Sequence, residues 1–167
     1  MRWLPYFILA YVAIAVQIGA GESLRFRGAK PDLVLLAVAF IAMNAPREAG
    51  VLGCVFMGLM MDMVTVQPLG LYALAYGLVG MFVAGMHEVV YREHPLSHLF
   101  LALIGAVLVA VVVLIHGWVR DGGVPAATLF GGALYTALLA PLVMGLLQRT
   151  KRAFAFVTKR NRMRGAF

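Results

Sequence analysis

From Leu99 to Ile115 every residue is apolar or glycine. A transmembrane α-helix needs about 20 mostly apolar residues to cross a ~30 Å hydrocarbon core. With its flanks, Leu96 to Trp118, this run supplies them. Five further stretches have the same character: Trp3–Ala20, Pro31–Ala45, Gly50–Val66, Leu69–Met86 and Ala126–Leu147. A chain of 167 residues that is 63% hydrophobic and 13% charged cannot hide this apolar surface in one soluble core. Lipid as the solvent removes the difficulty. The sequence therefore predicts an all-α integral membrane protein. Six short transmembrane helices form one bundle over residues 1–147, and a basic cytoplasmic tail follows over 148–167.

The second and third stretches are short, with Pro46, Arg47 and Glu48 between them. They either cross a tilted or thinned bilayer or form a hairpin that does not fully cross. The first stretch follows Arg2 and ends in Gly19, Ala20 and Gly21, as a signal peptide would. It is longer than the usual ~7–15 apolar residues, and further spans follow, so it is expected to stay as an uncleaved first helix. Basic residues set the orientation. With both termini inside, the inner side holds Arg2, Arg47, Arg92 and seven tail residues: Arg149, Lys151, Arg152, Lys159, Arg160, Arg162 and Arg164. The outer side holds Arg25, Arg27, Lys30 and Arg120. Both ends are thus expected on the cytoplasmic side, and Arg25, Arg27 and Lys30 form a local exception facing outward.

Helices in lipid pack through small residues that let backbones approach. Ala102, Ala106 and Ala110 form such a ridge in the fifth span, and Gly132, Thr136 and Ala140 form one in the sixth. Either ridge serves packing within the bundle or faces another membrane protein. Met57, Met60, Met61 and Met63 crowd the third span, where methionine fills irregular gaps or offers an adaptable partner surface.

Asp62 is the most informative polar residue, because it interrupts the apolar run Gly58-Leu59-Met60-Met61. A carboxylate in a span costs roughly 2.5–3.5 kcal/mol on insertion scales, so it needs a partner or a function. Pro68 stops the third helix and the fourth starts at once. The free amides near Leu69, Gly70 and Leu71 can point back at Asp62, making it the anionic cap of the fourth span. The alternative is a proton or substrate site. Asp32, after Pro31, suits the start of the second helix and lies near Lys30 and Arg27 as ion-pair candidates. Asn44 is placed to hydrogen-bond across helices. His87, His94 and His98 cluster with Glu88 and Glu93, but without the spacing of a metal-binding helix.

Catalytic signatures are absent: there is no Walker loop, dinucleotide glycine fingerprint, nucleophile elbow or paired-aspartate pattern. The chain is read as a non-enzyme with no catalytic residue, cofactor or metal. A lone cysteine, Cys54, excludes an internal disulfide and behaves as a small hydrophobe. The net charge of +7 collects beside the last span, where it is first a topology signal and suits anionic lipids, not nucleic acid.

The order of these pieces resembles the rod shape-determining protein MreD family. The matching pieces are Pro31-Asp32-Leu33-Val34-Leu35-Leu36, Gly50 to Gly53, Gly58-Leu59-Met60-Met61-Asp62 and Pro68-Leu69-Gly70-Leu71-Tyr72-Ala73-Leu74. The resemblance implies a fold similar to the substrate-binding components of energy-coupling-factor vitamin transporters. It implies a non-enzymatic scaffold of the bacterial cell-elongation complex, beside MreC, a single-span protein with a periplasmic coiled coil. That complex couples MreB filaments to peptidoglycan synthesis by the elongation glycosyltransferase and its transpeptidase. On this chain the family-like positions are Asp62, Pro68 and Gly70, in a structural role. The competing reading is a substrate-binding component of a small-molecule transporter. That reading needs a polar pocket near the outer side, drawn from Gln17, Asn44, Asp62, Tyr72 and Tyr76.

Overall fold

The shortest helix is the centre of the fold. In a computed structural model, which describes residues 3–21, 23–25, 28–86, 95–120 and 125–154, the element order is α1 (Trp3–Gly21), α2 (Leu33–Asn44), α3 (Arg47–Val64), α4 (Leu71–Gly85), α5 (Pro95–Val119) and α6 (Ala126–Phe154). Between its ends α2 carries only apolar side chains, and a helix that is apolar all round has to be buried on every side. Every residue from Val34 to Met43 is buried, and α2 packs on each of the other five helices. At 12 residues and ~1.5 Å rise, α2 is only ~18 Å long. Its neighbours shield it, so it has no need to match the thickness of a membrane.

The helix ends differ from the hydropathy reading for physical reasons. Pro31 and Asp32 precede α2 instead of forming its first turn, because Asp32 is its N-cap, with an extended backbone and a carboxylate that accepts from the Leu35 amide. Helix α3 begins at Arg47, since Glu48 in its first turn suits the positive end of the helix dipole although it is polar. Helix α6 continues past Leu147 to Phe154. Hydropathy falls there, but no glycine or proline between Leu146 and Phe154 ends the backbone ladder. The outer parts of the basic tail, residues 155–167, lie outside the described residues, as do Arg2, Arg27, His87, Glu88, Glu93 and His94. Among the described residues two helices, Ser97–Val119 and Ala126–Arg149, are long and apolar enough to cross a membrane.

The strongest pairings are α3 with α4 and α5 with α6. The first depends on Gly58: a Cβ there would lie 2.6 Å from the Ala73 backbone, closer than real carbon atoms come. Ala102, Ala106 and Ala110 on α5 and Thr136 and Ala140 on α6 are buried, and Ala102 and Ala140 form one cluster with Leu36 of α2. Gly132, also on α6, instead meets the chain before α2, where its Cβ would lie 2.8 Å from the Lys30 carbonyl oxygen. Helix α1 joins through Tyr6, which is fully buried and donates to the Gly53 carbonyl oxygen at 2.6 Å. The methionine cluster divides: Met57 and Met61 are core, Met60 packs against it, and Met63 is 69% exposed.

The helices around α2 do not form a closed ring. Helix α6 packs on α5 and α2 but makes no comparable packing with α1 among the described residues. The outer surface is strongly apolar: Leu134, Leu138, Leu142 and Leu146 are all exposed at four-residue spacing along α6, and Leu52, Leu74 and Met81 are exposed on α3 and α4. Water does not tolerate apolar surface on this scale in a monomer, whereas lipid does.

Candidate functional site

One end of the bundle carries the α1–α2, α3–α4 and α5–α6 connections, and the polar chemistry of the chain concentrates there. Three helices, α2, α4 and α6, begin at this end. The first amides of a helix have no partner within it, and in a mainly apolar bundle each one needs an acceptor from elsewhere.

At α4 that acceptor is Asp62. Its Oδ2 accepts from the Gly70 amide at 2.9 Å and the Ala73 amide at 3.1 Å, and its Oδ1 accepts from the Tyr72 amide at 2.8 Å. The side chain is buried, with 2% exposure. The amides differ from those expected near Leu69 and Leu71 because the connection is a tight turn. Leu71 donates its amide to the Pro68 carbonyl oxygen at 3.3 Å, which removes it from Asp62. Gly70 has φ 101° and ψ −12°, the third position of a type II turn, where an L side chain is strained. Pro68, Gly70 and Asp62 therefore act as one device: the turn aims the start of α4 at a carboxylate on the preceding helix.

At α2 the acceptors come from three elements. Asp32 caps its own helix through Leu35 at 2.9 Å. The Asp32 amide donates to the Thr136 hydroxyl of α6 at 2.8 Å, and that hydroxyl donates to the Gly132 carbonyl oxygen at 2.7 Å. Gln17 of α1 clamps the entry from both sides: its amide nitrogen donates to the Pro31 carbonyl oxygen at 3.0 Å, and its oxygen accepts from the Leu33 amide at 2.8 Å. The Tyr76 hydroxyl, from α4, donates to the Asp32 carboxylate, at 2.8 Å to Oδ2 and 3.0 Å to Oδ1. Pairing of Asp32 with Lys30, expected from proximity in sequence, gives way to these partners, which the packing of α4 and α6 brings in, while Arg27, the other expected partner, lies outside the described residues.

Tyr72 joins the two sets. Its ring centroid lies 5.5 Å from that of Tyr76, and it sits close enough to Asp32 and Asp62 to feel both charges. Beside it opens a cavity of about 500 Å³ to which every helix contributes. Gln17, Lys30, Asp32, Thr65, Tyr72 and Thr136 supply polar lining, and side chains such as Leu35, Met61, Val109 and Val113 supply apolar walls. The sequence did not locate this cavity. Of the residues named for a pocket, Gln17 and Tyr72 line it, Tyr76 stands behind Asp32, and Asp62 faces the α4 amides. Asn44 is not there. Instead of bonding across helices, its side chain donates to the Phe40 carbonyl oxygen at 2.8 Å, because α2 ends at Asn44 and the last-turn carbonyls need donors.

Among the described residues the opposite end offers less. His98 is buried and lies 2.9 Å from the Gln148 side-chain nitrogen, joining α5 to α6. Among the described residues no group of three His, Cys, Asp or Glu side chains is placed to hold a metal. Cys54 is buried and directs its thiol at the Val38 carbonyl oxygen, 3.6 Å away.

Comparison with known proteins gives one match. Neither a curated protein nor a solved structure matches the chain. A family model does, that of the rod shape-determining protein MreD, over residues 1–150, which takes in all of the polar end and nearly all of α6. MreD proteins are a membrane-protein family with a part in determining rod shape, and they are not known as enzymes. The chain belongs to the MreD family.

Proposed function

We propose that this protein is a non-enzymatic scaffold of the bacterial cell-elongation complex, embedded in the inner membrane by six spans with both termini in the cytoplasm. In this reading it binds an MreC-like single-span protein with a periplasmic coiled coil. It thereby helps couple MreB filaments to the elongation glycosyltransferase and transpeptidase. The observation that carries the reading is the family match over residues 1–150. The geometry supports it: Asp62, Thr136 and Gln17 spend their hydrogen bonds on holding helices in place. The exposed leucine stripe of α6 gives a partner span a regular surface to pack on. The basic end of α6, from Arg149 onward, suits an anionic inner leaflet, at about 1 kcal/mol per basic residue near the surface.

A second reading is favoured by one observation. The cavity of about 500 Å³ falls in the size range of small-molecule sites, with apolar walls and a few polar groups. A substrate-binding component of a vitamin-type transporter, with the six-helix shape of energy-coupling-factor proteins, would have such a cavity. Gentle purification from the native membrane followed by mass spectrometry separates the two. An MreC-like protein and the elongation synthase co-purify on the scaffold reading. Recovery of transporter ATPases with a membrane coupling subunit overturns it.

A further inference from the structure

The cavity is lined by both an acidic and a basic side chain, Asp32 and Lys30. Each donor to the Asp32 carboxylate is neutral: backbone amides from Leu35 and Val34 and one phenolic proton from Tyr76, shared between its oxygens. A carboxylate offers about four lone-pair sites, so acceptor capacity remains. A carboxylate withdrawn from water without a cation beside it is costly. Next to it stands Tyr72, whose hydroxyl meets no protein partner among the described residues and whose ring is paired with that of Tyr76. A carboxylate beside an aromatic face is the usual recognition chemistry for an ammonium group. Lys30 lines the same cavity, on the chain segment that leads to Asp32. The site thus offers an acidic and aromatic floor, a basic group on its lining, and apolar walls from Leu35, Val109 and Val113.

The route in is also on the structure. Gln17 and Ile18 of α1 and Thr128, Leu129, Gly132 and Thr136 of α6 all line the cavity, and α1 and α6 share no strong packing among the described residues. A gap between two apolar helices admits an amphiphile from the membrane more readily than a solute from water.

We propose that this cavity binds the headgroup of an amine-bearing phospholipid, phosphatidylethanolamine being the simplest. Its ammonium rests on Asp32 and the Tyr72 ring, its phosphate turns toward Lys30, and its chains leave between α1 and α6. The ammonium provides the countercharge that Asp32 lacks and N–H donors for its free lone pairs. The inference rests on the membrane-embedded bundle proposed above but not on any protein partner, so partner recovery and lipid binding succeed or fail separately.

The test is lipid binding to the purified full-length protein, delipidated in detergent and followed by native mass spectrometry, with phosphatidylethanolamine, phosphatidylcholine and phosphatidylglycerol in competition. Phosphatidylethanolamine is expected to bind about tenfold more tightly than phosphatidylglycerol, the difference that roughly one charge-assisted hydrogen bond makes. Asp32→Asn removes this preference. Because Asp32 also caps α2, a second variant leaves the polar groups in place: Ala133→Phe fills the cavity from α6 and is expected to abolish binding of the phosphatidylethanolamine molecule while the thermal midpoint of the lipid-free protein is retained. Equal binding of all three lipids, unaffected by Ala133→Phe, overturns the proposal. So does displacement of the lipid by water-soluble glycerophosphoethanolamine at equal concentration, which assigns the same chemistry to a free solute instead of a membrane lipid.

Discussion

Replacing Asp62 by alanine removes the acceptor of three amides at the start of α4, those of Gly70, Tyr72 and Ala73. The Ala73 amide is buried, and a buried donor left without an acceptor costs ~1–3 kcal/mol. The Gly70 and Tyr72 amides are partly buried and reach water, so each loses about the ~1 kcal/mol of an ordinary helix cap. Part of this sum is recovered because alanine no longer buries a charge, which leaves a loss of ~3 kcal/mol. Asp62→Asn retains one carbonyl oxygen, able to serve two of the amides, but turns an amino group toward donors, and about half the loss is expected. Reversible unfolding of the purified variants in mixed micelles, read as free energy against wild type, checks both values. The expected order is wild type, then Asn, then Ala. An alanine variant within the ~0.5 kcal/mol of a neutral surface substitution refutes the cap. A variant that keeps full stability but fails in cell elongation moves Asp62 from structure to chemistry.

Other outcomes follow from the same geometry. Gly58→Ala drives a Cβ into the Ala73 backbone, and overpacking of this kind costs ~1–3 kcal/mol, measured as a fall in the thermal midpoint with loss of folded yield. Gly70→Ala meets no side chain but forces φ 101° on an L residue, for ~1–2 kcal/mol in the same assay. Tyr6→Phe removes a second donor from the Gly53 carbonyl, which keeps its bond within α3, and loosens α1, at ~0.5–1.5 kcal/mol. Limited proteolysis of the α1–α2 connection is expected to speed up in that variant. Charge reversal at Arg149, Lys151 and Arg152 together is expected to reduce retention on vesicles containing anionic lipid, with little change on neutral ones.

How far this was legible from the sequence depends on the kind of signal. Asp62 was legible because a carboxylate in an apolar run has few affordable roles, and Pro68 a short distance on implied a turn. Which amides it would hold was not, since that depends on the turn type set at Gly70. The central place of α2 left no mark on hydropathy: LVLLAVAFIAM reads the same whether lipid or five helices surround it. The ridges of α5 and α6 were legible as rows of small residues, but not that Thr136 would use its hydroxyl on the Asp32 amide, a contact between residues 104 apart in sequence. The cavity was invisible because most of its wall is Ala, Val, Leu and Gly, the same residues that pack elsewhere without a void. Asn44 was misread because a polar side chain in an apolar segment suggests a distant partner, when the nearest unsatisfied carbonyl was its own helix's.

The unequal helix lengths have a consequence for the surrounding lipid. Around buried α2, helix α4 spans ~22 Å while the apolar stretches of α5 and α6, Ser97–Val119 and Ala126–Arg149, reach ~35 Å and ~36 Å, at ~1.5 Å rise per residue. In the six-span arrangement proposed above, a bilayer that wets this perimeter has to thin along α4 and relax toward α6. Each ångström of mismatch costs a fraction of a kcal/mol, and that cost falls when a neighbour of matching length takes the place of lipid. The protein thereby writes a thickness gradient into the membrane around it, and a passing helix is drawn to one flank or the other by its own length before any side chain has met a side chain.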